Sequence, residues 1–141
     1  MAKYNNDIPI GHQAAKLRSL YPQSNITWVS HGSEFVWTYS LQPTYMSDIY
    51  DVKIKYRQND YPKVYITNPM PLKLAQNAKF LPHVYDNKKQ RLCLYMYGEW
   101  DNSKFIADYI VPWTAEWLFH YECWVITGIW NGGGHGTPKN N

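Results

Sequence analysis

A chain of 141 residues can bury about two-thirds of its unfolded surface in one domain, so it needs neither crosslinks nor metal to fold. An apolar fraction of 45%, with Tyr 13, Trp 7 and Phe 4, argues against disorder, and two cysteines thirty residues apart make no disulfide framework and no zinc pattern. The net charge of +3 comes without a long basic stripe, and nowhere do eighteen apolar residues run together, so neither nucleic acid nor a membrane is the expected partner.

The N-terminus, Met1 to Asp7, is polar and has no apolar signal core, which leaves a cytoplasmic location as the expectation. A reducing cytosol also suits an unpaired thiol. Residues Pro9 to Leu20 read as a first helix, because Ile10, Ala14, Leu17 and Tyr21 recur at three- and four-residue steps and Pro22 closes the run. The period then changes to two. Ile26 and Trp28 alternate with Thr27, and Phe35, Trp37, Tyr39 and Leu41 alternate with Val36, Thr38 and Ser40. Past Gln42-Pro43-Thr44, Tyr50, Val52, Ile54 and Tyr56 face one way while Asp51, Lys53, Lys55 and Arg57 face the other. Val64 and Ile66 form a short fourth strand after the turn at Gln58-Asn59-Asp60. Four strands with short turns predict an antiparallel meander, one face in water and the other covered by helix.

From Asn68 to Phe80 the prolines at 69, 71 and 82 predict an irregular connection. Leu81 to Trp100 follows, with His83 ten residues before Cys93. Between them Asp86 to Gln90 is a polar run, read as a turn or surface loop that cannot be core. Asp101, Asn102 and Ser103 predict a capped helix carrying Phe105, Ile106 and Ile110, and Pro112 predicts the first turn of another. Trp113, Trp117, Tyr121 and Trp124 then form an aromatic stripe at helical spacing, read as core. The tail from about 131 to 141, with Gly132-Gly133-Gly134, is expected to fray.

No glycine-rich phosphate loop, HExxH pair or GxSxG elbow occurs, so no cofactor and no metal is expected. Chemistry therefore falls to Cys93. It stands where an exposed loop meets packed chain, a setting in which a thiolate can meet a substrate and still be held in place. Lys88, Lys89 and Arg91 precede it, read either as a solvated loop or as a positive field that favours the thiolate and docks an acidic partner. A buried structural cysteine is the competing reading, since free Cys packs as a small hydrophobe. Cys123, inside the aromatic stripe, reads as core. His83 can act as a base or as a strut that ties a loop to backbone groups.

These residues resemble the ubiquitin-conjugating enzymes. That family has a thioester-forming Cys ten residues after the His of a His-Pro-Asn motif and a Trp seven or eight residues beyond, as His83, Cys93 and Trp100 are spaced here. Cys93-Leu94 and Tyr61-Pro62 match further family elements, and the resemblance covers about residues 10 to 125. Closer still is the likeness to small bacterial E2-like proteins encoded beside cGAS-like nucleotidyltransferases in antiphage operons. Leu92 to Tyr95, Ile110 to Leu118, Tyr121-Glu122 and Thr127 to His135 carry it. Pro82 precedes His83 instead of following it, and Tyr85 stands where the family has Asn, with Asn87 or a tyrosine hydroxyl as substitutes for that amide.

The resemblance implies an α+β fold of ubiquitin-conjugating type: an N-terminal helix, a four-stranded antiparallel meander, a loop with the catalytic Cys, and C-terminal helices. It implies that Cys93 holds a protein C-terminus as a thioester, with His83 bracing its loop and Tyr85, Asn87 and Trp100 supporting. Lys88, Lys89 and Arg91 would dock the partner, a cGAS-like nucleotidyltransferase handled at its C-terminus. A non-catalytic binding module on the same fold and a Cys-His hydrolase are the alternatives.

Overall fold

The computed structural model describes residues 6–132. Helix α1 spans Ile10–Leu20, and Pro9 stands at its N-cap, where a missing N–H costs nothing. Ala14 and Leu17 are buried, as their spacing predicts, and so is Gln13. The meander follows as β1 (Asn25–Val29), β2 (Glu34–Leu41), β3 (Tyr50–Arg57) and β4 (Lys63–Asn68), all antiparallel neighbours. Register puts Phe35 opposite Tyr56 and Trp37 opposite Ile54, all four buried, while Lys53 and Lys55 lie on the other face. Alternation at period two is thus realised as one dry face and one wet one.

The sheet does not stop at four strands. Residues 69–83 contain no helix or strand. The chain then makes a short hairpin, β5 (Val84–Asp86) and β6 (Arg91–Leu92), and β6 pairs with β4 through Tyr65 and Arg91. The order is β1-β2-β3-β4-β6-β5. Gln90 corrects the reading of 86–90 as wholly surface. It is 2% exposed, and its side chain does the work of a strand. Its Nε2 donates to the Ile66 and Pro69 carbonyls, and its Oε1 accepts the Leu72 N–H at 2.7 Å. A polar residue can be core when every polar atom finds a partner.

The two expected C-terminal helices are one, α2 (Ile106–Thr127), with Pro112 inside it. The expected caps are engaged elsewhere. Asp101 accepts the Ser103 N–H at 2.8 Å, and Asn102 Nδ2 donates to the Tyr56 hydroxyl at 2.6 Å. α2 is capped from outside its own sequence: Gln13 Oε1 accepts the Ile106 N–H and Gln13 Nε2 donates to the Lys104 carbonyl, both at 2.9 Å. One buried face, Ile106, Ala107, Ile110, Val111, Thr114 and Trp117, runs through the proline and keeps the helix continuous against the sheet. Trp117, Tyr121 and Trp124 lie in the core, as the stripe predicts. A salt bridge of 2.8 Å from Lys16 to Asp108 joins the two helices at their surface.

Candidate active site

The β5–β6 hairpin positions Cys93, the residue immediately after β6. Val84 faces Leu92 and Asp86 faces Arg91, with a register shift at Tyr85. Side chains alternate along a strand, so Arg91 and Cys93 share a face and Tyr85 stands diagonally between them. The Arg91 guanidinium lies 4.8 Å from the Tyr85 ring centre, and Tyr85 and the Arg91 charge both act to lower the pKa of the Cys93 thiol. The Tyr95 backbone amide acts on the thiol in the same direction.

His83 anchors this hairpin through its backbone. It adopts a left-handed conformation, φ 50°, and its carbonyl accepts two donors at 3.0 Å, the Cys93 N–H and Trp117 Nε1. Its ring packs on Trp130, 4.8 Å between centres, and its Nδ1 is buried without a partner. Burial holds this imidazole below the usual histidine range, because a charge there would be poorly solvated.

Cys93 itself is 4% exposed, which corrects the expectation of a thiol on a rim. Cys93, Trp113, Trp117, His120, Trp130 and Gly132 border a cavity of about 10 Å3. That is the lower limit of what one water needs. Loss of solvent is the largest influence on the thiol and pushes its pKa up, whereas the Tyr85 hydroxyl, the Tyr95 N–H and the Arg91 charge each pull it down. Influences that favour a thiolate are thus present, and the loss of solvent outweighs them. Tyr85 is more than half exposed, yet its phenol is pushed up to about 12, chiefly by loss of solvent around the hydroxyl, so it keeps its proton.

The other expected residues are placed differently. Lys88 and Lys89 are exposed in the hairpin turn, and of the three basic residues it is Arg91 whose charge bears on the sulfur. Asn87 serves the loop: its Oδ1 accepts the Leu81 N–H at 2.7 Å. Trp100 is fully buried and packs on Tyr56 and Tyr61 with ring centres 6.1 and 6.4 Å away. Sequence reasoning missed Trp117 as a donor to the hairpin and Trp130 as a cover over it. A signal for the second existed, since Gly128 after a helix marks a C-terminal cap and Ile129-Trp130 supplies the apolar contact that accompanies such caps.

Among the described residues, no group of three or more His, Cys, Asp or Glu side chains is placed to hold a metal ion, and no helix is long and apolar enough to cross a membrane.

Fold and site together define an α+β protein in which a short hairpin, added to the end of a meander, carries the paired Tyr85 and Arg91 and leads directly into one buried cysteine. A model of the family described as Type II CBASS E2 protein matches residues 13–138, and the chain belongs to that family. It is thus an E2-like protein with a role in CBASS. No curated protein matches the chain.

Proposed function

We propose that Cys93 carries a protein C-terminus as a thioester. The chain end arrives already activated, as an acyl-adenylate or as a thioester on another protein. The Cys93 thiolate attacks the acyl carbon, a C–S bond forms, and the bond to the leaving group breaks with its electron pair. What supports this is membership of an E2-like family together with the hairpin that fixes Cys93, whose N–H donates to the His83 carbonyl at 3.0 Å with Tyr85 and Arg91 stacked beside it. Tyr85 and the Arg91 charge favour the thiolate before attack, and Tyr85, a phenol in place of the expected amide, is the residue assigned to the developing oxyanion. His83 braces the hairpin through its carbonyl. Asn87 holds the turn and Trp100 the core behind it, while Lys88 and Lys89 offer charge to the partner surface.

The partner is a cGAS-like nucleotidyltransferase, a reading supported by membership of a CBASS family, and the exchange takes place in the cytoplasm. Mass spectrometry of the protein co-expressed with that nucleotidyltransferase tests it. The expected result is an adduct of the partner's mass that is released by hydroxylamine and absent from Cys93→Ala. An adduct that survives the alanine change removes Cys93 from the mechanism. One observation favours a second reading, a binding module with an idle thiol: the 4% exposure of Cys93. That reading expects a stable complex with no covalent species at all.

A further inference from the structure

Part of what buries Cys93 is not core. α2 ends at Gly128, whose φ of 76° is the left-handed turn that glycine takes at no steric cost, and its N–H donates to the Trp124 carbonyl at 2.7 Å. The chain reverses there. Ile129 is 60% exposed, and Trp130 folds onto His83, Trp117 and His120 with ring centres at 4.8, 5.5 and 6.0 Å. Gly132 is buried behind it, so close that a Cβ would come within 2.8 Å of His120 Cγ and of Trp130 Nε1. Trp130 and Gly132 thus close the cavity whose floor is the Cys93 residue.

The walls of that cavity differ in how firmly they are held. Trp113 and Trp117 belong to α2, and Trp117 is 4% exposed and hydrogen-bonded to the hairpin. They cannot withdraw without unfolding the helix. The cover is less well seated. The bonds at its root are local, from the Ile129 N–H to Thr127 Oγ1 and from the Thr127 hydroxyl to the Ile129 carbonyl. Where it meets the hairpin, His83 Nδ1 and Trp130 Nε1 are both buried without a partner. Closure deprives both of water and gives neither a hydrogen bond, so opening lets both be solvated again.

We propose that residues 128–132 are an autoinhibitory strap: they lie in the groove over Cys93 that the end of an incoming polypeptide must enter, and they give it up to that polypeptide. The inference rests on the reading of Cys93 as the acceptor of a chain end, for which a segment of this same chain is the resident competitor. Closed, the strap keeps the thiol protonated and dry. Open, it leaves Tyr85 and Arg91 beside a solvated sulfur.

Iodoacetamide labelling of the full chain tests this, with Cys93 and Cys123 followed separately by peptide mass mapping. Trp130→Ala removes the cover, and Gly132→Ala forces it off by adding the Cβ that has no room. Both are expected to speed labelling of Cys93 by about tenfold or more, a modest shift in a local opening equilibrium, and to leave Cys123 unchanged. Equal Cys93 rates in folded variants overturn the strap. Should Trp130→Ala unfold, seen as lost circular dichroism and faster labelling at both cysteines, Gly132→Ala decides alone. No second protein takes part, so an unchanged rate leaves thioester formation standing, and a failed thioester leaves the rates meaningful.

Discussion

Gln13 on α1 caps α2: its fully buried side chain accepts the Ile106 N–H and donates to the Lys104 carbonyl across more than ninety residues of sequence. The first turn of a helix has N–H groups without intrahelical partners, and here one is satisfied by the other helix. Gln13→Ala leaves that donor buried and unpaired and opens a small void. We expect a loss of about 2–3 kcal/mol, read as a lowered urea midpoint with an unchanged slope.

His83 supplies a pH dependence whose sign follows from burial. Its imidazole is held below the reference value of 6.5, so the unfolded chain takes up a proton before the folded one does. Its contribution is intact above about pH 6.5 and is lost as pH falls below that value toward the lower folded one. Asn tolerates the left-handed backbone that His83 adopts and does not titrate. Between about pH 7.5 and pH 5.5 the thermal midpoint of His83→Asn should therefore fall less than that of the unaltered protein, a window set by the histidine reference pKa. An equal fall in the two proteins would place the acid-sensitive group elsewhere.

The basic residues around the hairpin divide by what they touch. Lys88 and Lys89 are exposed in the turn, and alanine at both should change stability by no more than about 0.5 kcal/mol and leave Cys93 labelling unaltered. Arg91 packs on Tyr85, and its charge pulls the thiol down. Arg91→Ala should move the pH profile of Cys93 labelling to higher pH, with less thiolate at any neutral pH. A shift from the lysine pair, and none from Arg91, would reverse this assignment.

Much of the fold can be read from the residues because its signals are local. The meander announces itself through Tyr50, Val52, Ile54 and Tyr56 set against Asp51, Lys53, Lys55 and Arg57, a pattern that only a half-buried strand satisfies. β5 and β6 are too short to show a period, and β6 exists as a strand because β4 is there to pair with it. Gln90 resembles any turn glutamine until its three partners are known. The single helix was hidden for a related reason: Asp101 to Ser103 are good caps, but the group that caps α2 lies on α1. Cys93 and His83 are prominent in the sequence, yet part of the lining of the cavity at Cys93, Trp130 and Gly132, comes almost forty residues further on, beyond a helix. The expected fraying from 131 to 141 falls, from residue 133 on, outside the described residues, and Gly132 is packed.

The place of β5 in the sheet has a consequence for solubility. An outermost strand offers unpaired backbone groups to any passing chain, and long, flat, apolar edges invite stacking into aggregates. Here the border strand is three residues long, bent by a register shift, and followed at once by two lysines in water. Such a border gives a neighbouring molecule little to zip onto. The Cys93 sulfur thus sits beside a sheet margin that is kept short, crooked and positively charged.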